Sequence, residues 1–356
     1  MPGARLCRII DLQMTEWPEA FRKIPLVELH LHAEGSISPD TACELAARHG
    51  LKLTAQEVAS RYEYTDFSGF LEAFKWVTSL LRAPDDYALI IRRLCESLRA
   101  QNVRYAEITI SAGVMLLRLQ DVEANFVAMR AAAHAEETFP RVRWIFDAVR
   151  QFGPSPAMQV AHIAATLHDA GVVAFGMGGD ELSVPAADFR EVYDYAAARG
   201  LHRLIHAGEI GGPEQIRDAI DYLGAERIGH GIAAVHDPAL MDLLKERHIP
   251  LEVCPTSNLR TGALACQLGR SDAALTDHPL PILVGRGVPV TLSTDDPAMF
   301  QTDLRGEYEN ALQMGLPIST LLQLARAGFE HSFLPAAEKN ALIETFDREA
   351  SRLGLI

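Results

Sequence analysis

The fold is decided by the stretch Leu26–His32, which reads LVELHLH. Successive side chains of a β-strand point to opposite faces, so a strand here would place His30 and His32 together on one face. Two imidazoles on one face make half of a metal site. Taken alone, the pair is equally compatible with a polar stripe that binds nothing, so the choice depends on the rest of the chain.

Strands and helices alternate along the rest of the chain, which indicates a parallel sheet with helical crossovers. Eight strands predict an α/β fold of the (β/α)₈ TIM-like barrel type. An open doubly wound sheet is the alternative, because a strand count does not prove closure. We predict one barrel domain over residues 1–356, with extra helices after strand 1 and at the C-terminus. The other predicted strands are 103–110, 142–149, 172–179, 202–206, 227–230, 250–255 and 288–294, and the helices between them are 85–100, 121–138, 156–169, 186–199, 213–223, 237–247 and 278–286.

The helix-rich insertion after strand 1, residues 54–81, carries aromatic side chains near helical spacing. This spacing predicts core packing more often than a ligand site. The alternative is a place at the mouth of the site, because an insertion after the first strand of a barrel lies near its catalytic end. Whether the insertion moves as a lid is left open. The aromatic residues are Phe67, Phe70, Phe74 and Trp76.

The composition is that of a globular protein, with 48% hydrophobic and 22% charged residues. A formal net charge of -14 argues against a nucleic-acid partner, which requires clustered Lys and Arg. The five cysteines are scattered without CxxC spacing, so neither a disulfide framework nor a thiolate zinc site is predicted. No membrane segment or signal peptide is recognisable, and we predict a cytoplasmic protein. A homo-oligomer is left open.

Three later stretches add the donors that a metal site needs: HAGE at 206–209, GHG at 229–231 and STDDP at 293–297. They follow predicted strands, and the active sites of barrel enzymes are built at the C-terminal strand ends. Three imidazoles and a carboxylate suit zinc, with an open position for water. Such a metal lowers the pKa of bound water from 15.7 to about 7. The predicted ligands of one zinc ion per chain are His30, His32, His206 and Asp295.

The same stretches supply candidate catalytic groups. Glu209 follows His206 closely enough to face the same cavity, where its carboxylic acid could donate a proton to a substrate. His230 could take or orient a proton of the attacking water. In an extended segment neighbouring side chains point apart, so Asp295 would hold the metal while Asp296 accepts a hydrogen bond from the substrate. The glycines of 176–179 lack a phosphate-loop spacing and would let a flat ligand approach the backbone.

Each residue also has a structural explanation. Asp-Asp-Pro is commonly a turn or helix start, and a single histidine at a strand end is commonly an ordinary polar residue. The coincidence of four donor-bearing strand ends favours a site. The remaining histidines are predicted to be structural, and His278 stands apart from them because it precedes the last strand. Cys254 lacks the partners of a thiol nucleophile.

With these motifs in order along nearly the whole chain, the sequence resembles the adenosine deaminase family of metal-dependent hydrolases. The resemblance also includes the Gly-Gly-Asp-Glu segment at 178–181 and VCPTSN at 253–258. It implies a zinc-bearing barrel that hydrolyses the 6-amino group of an adenine-type ring and releases ammonia. By the same resemblance, Glu209 would protonate ring N1, His230 would act on the water, Asp296 would bind N7, and the backbone at Gly179 would contact N3.

The departures from the family lie near the sugar. Glu34 stands where adenosine deaminases carry an Asp that faces the ribose, and 176–181 reads GMGGDE where they tend to read DLAGDE. Segments 35–39, 175–179 and 295–300 are similar to bacterial relatives that resemble deaminases of aminodeoxyfutalosine, a 5′-extended adenosine of menaquinone biosynthesis. Adenosine is the main predicted substrate and aminodeoxyfutalosine the alternative. The Gly179-Asp180-Glu181 run argues against free adenine.

Two other classes compete with a deaminase. A binuclear amidohydrolase or phosphotriesterase would often use a lysine in the fourth strand, and residues 172–179 contain none. A binder without catalysis would have no need of all four ligands together with Glu209 and His230.

Overall fold

The structure is a computed structural model that describes residues 19–356. Residues 1–18, which our prediction of one domain over 1–356 includes, lie outside the described part. Eight parallel strands follow one another in the sheet in chain order, each pairing with the next. They are β1 (Leu26–His32), β2 (Val103–Ile110), β3 (Arg141–Val149), β4 (Val172–Gly178), β5 (His202–Ala207), β6 (Arg227–His230), β7 (Leu251–Val253) and β8 (Val290–Leu292).

The ends of the sheet meet at β1 and the residues that follow β8. Leu31 forms a parallel bridge with Asp295. The backbone N–H of His32 donates to Asp295 O at 2.8 Å, and the N–H of Asp295 donates to His30 O at 2.9 Å. This pairing confirms the predicted TIM-like barrel and excludes the open sheet.

Helices surround the barrel, and the aliphatic and aromatic core lies between them and the strands. Every residue of β1 is buried, as expected for a parallel strand covered on both faces. The helices are α1 (Pro39–Arg48), α2 (Ala55–Arg61), α3 (Phe67–Thr78), α4 (Pro84–Ala100), α5 (Ala112–Leu117), α6 (Val122–Ala133), α7 (Pro154–Thr166), α8 (Arg190–Ala198), α9 (Pro213–Leu223), α10 (Pro238–Glu246), α11 (Pro255–Arg260), α12 (Ala263–Leu268), α13 (Leu280–Arg286), α14 (Pro297–Phe300), α15 (Leu304–Gln313), α16 (Ile318–Glu330) and α17 (Ala336–Arg352).

The last two strands are shorter than predicted, and the reason is visible at β7. Pro255 begins helix α11, because its fixed φ suits the first helical turn and it needs no donor there. The segment predicted as strand 250–255 is therefore a three-residue strand followed by a helix. This turn places Ser257 and Asn258 on α11 at the catalytic end of the barrel.

The C-terminal helices complete the barrel. Helix α16 packs against both β1 and β8, where the sheet closes. The segment after α16 lies at the end of the barrel where the strands begin. There the guanidinium of Arg227, the first residue of β6, lies 3.7 Å from the centre of the Phe333 ring. Among the described residues, no helix has the length and apolar character to cross a membrane.

Candidate active site

A cavity of about 210 Å³ opens at the C-terminal ends of the strands. One half of its wall is polar and buried, and the other half is formed by helix α3 and its apolar neighbours. Most of the predicted site residues therefore lie around one space. The polar wall includes His32, Gly179, His206, Glu209, His230, Asp295 and Asp296.

The four predicted metal ligands form one cluster. One donor atom from each of His30, His32, His206 and Asp295 lies within 4.8 Å of the others. Asp295 Oδ1 is 3.4 Å from His30 Nε2 and 3.3 Å from His32 Nε2. The Nε2 atoms of His32 and His206 are 3.3 Å apart. The buried Nε2 of His30 has no hydrogen-bond partner, as expected of an atom that holds a cation. The cluster fits a divalent metal.

Neighbouring groups orient these ligands. His206 Nδ1 lies 3.2 Å from Met177 O, so the proton of this ring is on Nδ1 and the Nε2 lone pair faces the cluster. Ser257 Oγ donates to Asp295 Oδ2 at 2.7 Å. Such outer partners fix ring and carboxylate orientation at metal sites.

The backbone at Asp295 differs from our expectation. The prediction that Asp295 and Asp296 point apart in an extended segment is wrong, because Asp295 has φ +65°, in the left-handed region. Both carboxyl groups consequently border the same cavity. Left-handed backbone outside glycine costs about 1 kcal/mol or more and clusters at functional sites.

Asp296 is held tightly beside the turn after β1. A Cβ added to Gly35 would lie 1.8 Å from Asp296 Oδ1, so only glycine leaves room for this carboxyl group. Burial, together with the charge of Asp295, raises the pKa of Asp296 well above its usual range. Its Oδ1 is buried without a hydrogen-bond partner, which leaves the atom free for a ligand.

Glu209 lies in the loop after β5, and Glu181 fixes that loop. The Glu181 carboxylate accepts backbone N–H bonds from Gly208, Ile210 and Gly211. Burial, and then the charges of Asp295 and Glu181, raise the pKa of Glu209 well above its usual range. Burial thus favours the protonated acid form of Glu209, which faces the cavity.

His230 also has left-handed backbone, with φ +60°. Its Nε2 lies 3.6 Å from Glu209 Oε2 and 3.8 Å from Asp295 Oδ2. Burial lowers the pKa of His230 to about 3, so the ring is neutral. Its Nδ1 points away from the cavity, toward Asn258 on α11.

A buried chain of charged groups behind His30 was not predicted from the sequence. His30 Nδ1 lies 2.7 Å from Glu252 Oε2, and Glu252 Oε1 lies 2.6 Å from Arg227 Nε. Arg227 pairs in turn with Glu107 at 2.5 Å. Burial opposes ionisation of Glu252, but Arg227 and His30 outweigh it and lower its pKa. The available signal was a glutamate in the middle of the buried strand β7.

We expect Glu252→Gln to weaken metal binding by about 10- to 100-fold, the usual cost of losing the carboxylate behind a metal-ligating histidine. The variant keeps the shape of the side chain and removes the charge that orients His30. Competition titration with a metal-sensitive dye measures the affinity. Glu307→Gln is the matched control, because Glu307 is equally buried but bonds Thr256 and Thr302 instead of a ligand. Equal affinity in both variants would contradict the role of Glu252.

The two predicted sugar-side residues have different positions. Gly179 has φ +93° and lines the cavity, where a Cβ would meet Gln151 Oε1 at 2.4 Å. Glu34 is buried outside the cavity wall, and its Oε1 accepts the N–H of Ser111 at 2.9 Å. Ser111 itself lines the cavity. A direct contact of Glu34 with a ligand stays a prediction.

The aromatic residues of the insertion after β1 were predicted either to pack in the core or to lie at the mouth of the site, and the structure shows both. Phe67, Phe70 and Phe74 line the cavity, whereas Trp76, on the same helix, packs against Tyr62 and Arg61. Phe70 is also part of the core. Core packing alone is therefore an incomplete prediction for this group.

Comparison with known proteins agrees with this geometry. The family model described as Adenosine deaminase matches residues 25–349. The chain is 40% identical over 332 residues to the aminodeoxyfutalosine deaminase of Streptomyces coelicolor, an alignment that covers 91% of this chain and 84% of the relative.

Two solved structures share the fold. The adenine deaminase from Arthrobacter aurescens has a TM-score of 0.85 and 30% identity, covering 92% of this chain and 99% of that one. A cog1816 amidohydrolase from Burkhoderia ambifaria, with bound Zn, has a TM-score of 0.84 and 25% identity, covering 96% of each chain.

Proposed function

Because the chain belongs to the adenosine deaminase family, and is therefore a hydrolase of C–N bonds, we propose that it deaminates a 5′-extended adenosine, aminodeoxyfutalosine, with zinc as its metal. This choice reverses the order of our two predicted substrates. The 40% identical relative named for aminodeoxyfutalosine supports the reversal.

The shape of the cavity carries the proposal. Beyond the polar cluster the wall continues along α3 with Phe67, Leu71 and Phe74, and Ser68, Glu72 and Lys75 of the same helix also line it. The apolar side chains favour an apolar portion of a 5′ group, since a hydroxyl group that lost its water against them without a partner would be destabilised. The extended substrate would use this half of the cavity, whereas adenosine would leave it empty.

The donor set supports zinc. A tetrahedral zinc site with bonds of about 2.0–2.1 Å needs ligand atoms roughly 3.3–3.4 Å apart. Three of the six donor pairs are separated by 3.3–3.4 Å, and all four donor atoms lie within 4.8 Å of one another. A zinc ion bound there would supply an activated water at neutral pH. The zinc-bearing structural neighbour points the same way.

Side chains and backbone of the cavity wall would bind the substrate and transfer its protons. Glu209, held protonated by burial, would give its proton to ring N1. The Asp296 carboxyl group would bind N7, and the backbone at Gly179 would lie against N3. His230, whose Nε2 lies beside Glu209 and Asp295 in the cavity wall, would bind the attacking oxygen.

Adenosine is the second candidate, favoured by the family model, whose description names it. Ammonia release by the zinc-loaded protein distinguishes the candidates when adenosine, 2′-deoxyadenosine, adenine and aminodeoxyfutalosine are offered side by side. We expect aminodeoxyfutalosine to have by far the highest kcat/KM. A higher value for adenosine would make the protein an adenosine deaminase, and no ammonia from any of the four would reject both candidates.

Phe74→Ala tests the apolar half of the cavity. The ring of Phe74 is partly buried, and losing its contact with the substrate removes about 1.5–3 kcal/mol, which corresponds to about a 10- to 100-fold lower kcat/KM for aminodeoxyfutalosine. Adenosine, which does not reach α3, should be affected less than about threefold. Trp76→Ala is the control, because Trp76 lies on the same helix but outside the cavity. An equal loss for both substrates would show that Phe74 acts on stability alone.

A further inference from the structure

A chain of three buried side chains connects His230 to the start of helix α13. His230 Nδ1 lies 3.1 Å from Asn258 Nδ2, and Asn258 Oδ1 lies 3.2 Å from His278 Nε2. The backbone N–H of Leu280 donates to His278 Nδ1 at 3.1 Å. All three side chains are buried. We call them the relay.

The direction of every hydrogen bond in the relay follows from its last member. A backbone N–H can only donate, so His278 Nδ1 accepts and the ring proton of His278 is on Nε2. That proton is donated to Asn258 Oδ1. The opposite orientation of the Asn258 amide would place two donors against each other at His278, and it is excluded for that reason.

The Asn258 amide nitrogen is then left to donate to His230 Nδ1. A neutral imidazole carries one proton, so the proton of His230 is on Nε2, the atom that faces Glu209 and the cavity. The backbone N–H of Leu280 therefore determines, through His278 and Asn258, which ring nitrogen of His230 carries the proton.

We propose that Asn258 and His278 are positioning residues that hold His230 as the Nε2–H tautomer, so that His230 donates a hydrogen bond into the cavity and does not accept a proton there. The sequence alone is compatible with His230 either taking a proton of the attacking water or orienting it. The consequence for the reaction rests on the proposed function, because it assumes that an attacking oxygen binds beside His230. A donor aimed at that oxygen stabilises the negative charge that develops on it.

Ring nitrogen NMR tests the tautomer directly. In the full-length protein with ¹⁵N-labelled histidine, with and without zinc, we expect His230 to show a protonated Nε2 and an unprotonated Nδ1. Its signals are assigned by their loss in His230→Gln. A protonated Nδ1 on His230 in the wild type would overturn the proposal, whatever the variants do.

Asn258→Asp tests the consequence. A carboxylate of the same shape can only accept, so it should move the proton of His230 to Nδ1 and leave a lone pair facing the cavity. We expect kcat to fall about 10²- to 10³-fold, as when one preorganised donor is removed, with KM changed less than about threefold. Asn125→Asp is the matched control, because Asn125 is buried on α6 and contacts Met115.

The outcomes separate this proposal from the proposed function. An Asn258→Asp variant with the wild-type tautomer and unchanged kcat would reject the relay. If the variant does not fold, the wild-type spectrum still decides the tautomer. An Nε2–H ring in a protein that deaminates none of the four compounds would leave the positioning role standing and reject the function.

Discussion

Replacing Glu209 with glutamine is expected to lower kcat for deamination by about 10²- to 10⁴-fold, the usual contribution of a positioned general acid. The amide keeps the shape and the contacts with Thr261 and the loop, but it has no proton to give. Metal content and thermal stability should remain near wild type. Ammonia release and metal analysis of the same preparation provide the measurement.

The pH profile provides an independent check of the same group. Burial raises the pKa of Glu209, so its acid form persists to higher pH than that of an exposed glutamate and is lost as the pH rises through the raised value. Activity limited by this acid therefore declines on the alkaline side. Glu214→Gln, an exposed change five residues away, is the control. Turnover by Glu209→Gln within about threefold of wild type would exclude Glu209 as the general acid.

Removal of the metal is the second large effect that we expect. A chelator should abolish deamination, since the metal contributes several kcal/mol to the transition state, and about 1.4 kcal/mol corresponds to a tenfold change in rate. Zinc should restore the activity of the wild type but not that of His206→Ala, which lacks one of the four ligands. His331→Gln, at the opposite end of the barrel, is the control. Full activity after exhaustive chelation would exclude a metal-dependent reaction.

Much of the fold was predictable because local signals agree with the tertiary structure. Strand β6 and helix α9 have the predicted limits, since Pro213 and Gly224 mark the helix ends. The short strands β7 and β8 were overpredicted, because buried residues such as Cys254 and Ser293 continue past the point where each strand ends. Sequence periodicity reports burial, and residues beyond the strand ends are also buried.

The candidate site was predictable to a lesser extent. Spacing and order indicated the four ligands and Glu209, because these donors lie in or shortly after three strands, β1, β5 and β8. The partners behind them were missed: Glu252 behind His30, and His278 behind His230. These residues are far apart along the chain and come together only in the folded barrel, so no local sequence pattern indicates them.

The position of the ligand cluster also affects how the chain folds. His30 and His32 belong to the first strand, whereas Asp295 follows the last, so their contacts close a loop that spans most of the chain. Such long-range closure loses the most chain entropy and is expected late in folding. A bound metal ties the two chain regions together and stabilises the folded state by RT ln(1 + [M]/Kd), about 2.7 kcal/mol at a hundredfold excess over Kd. The unfolding midpoint should therefore rise with free zinc in the wild type and stay constant in His206→Ala. An ion held by these ligands would therefore add to the backbone pairing that joins β1 to the residues after β8.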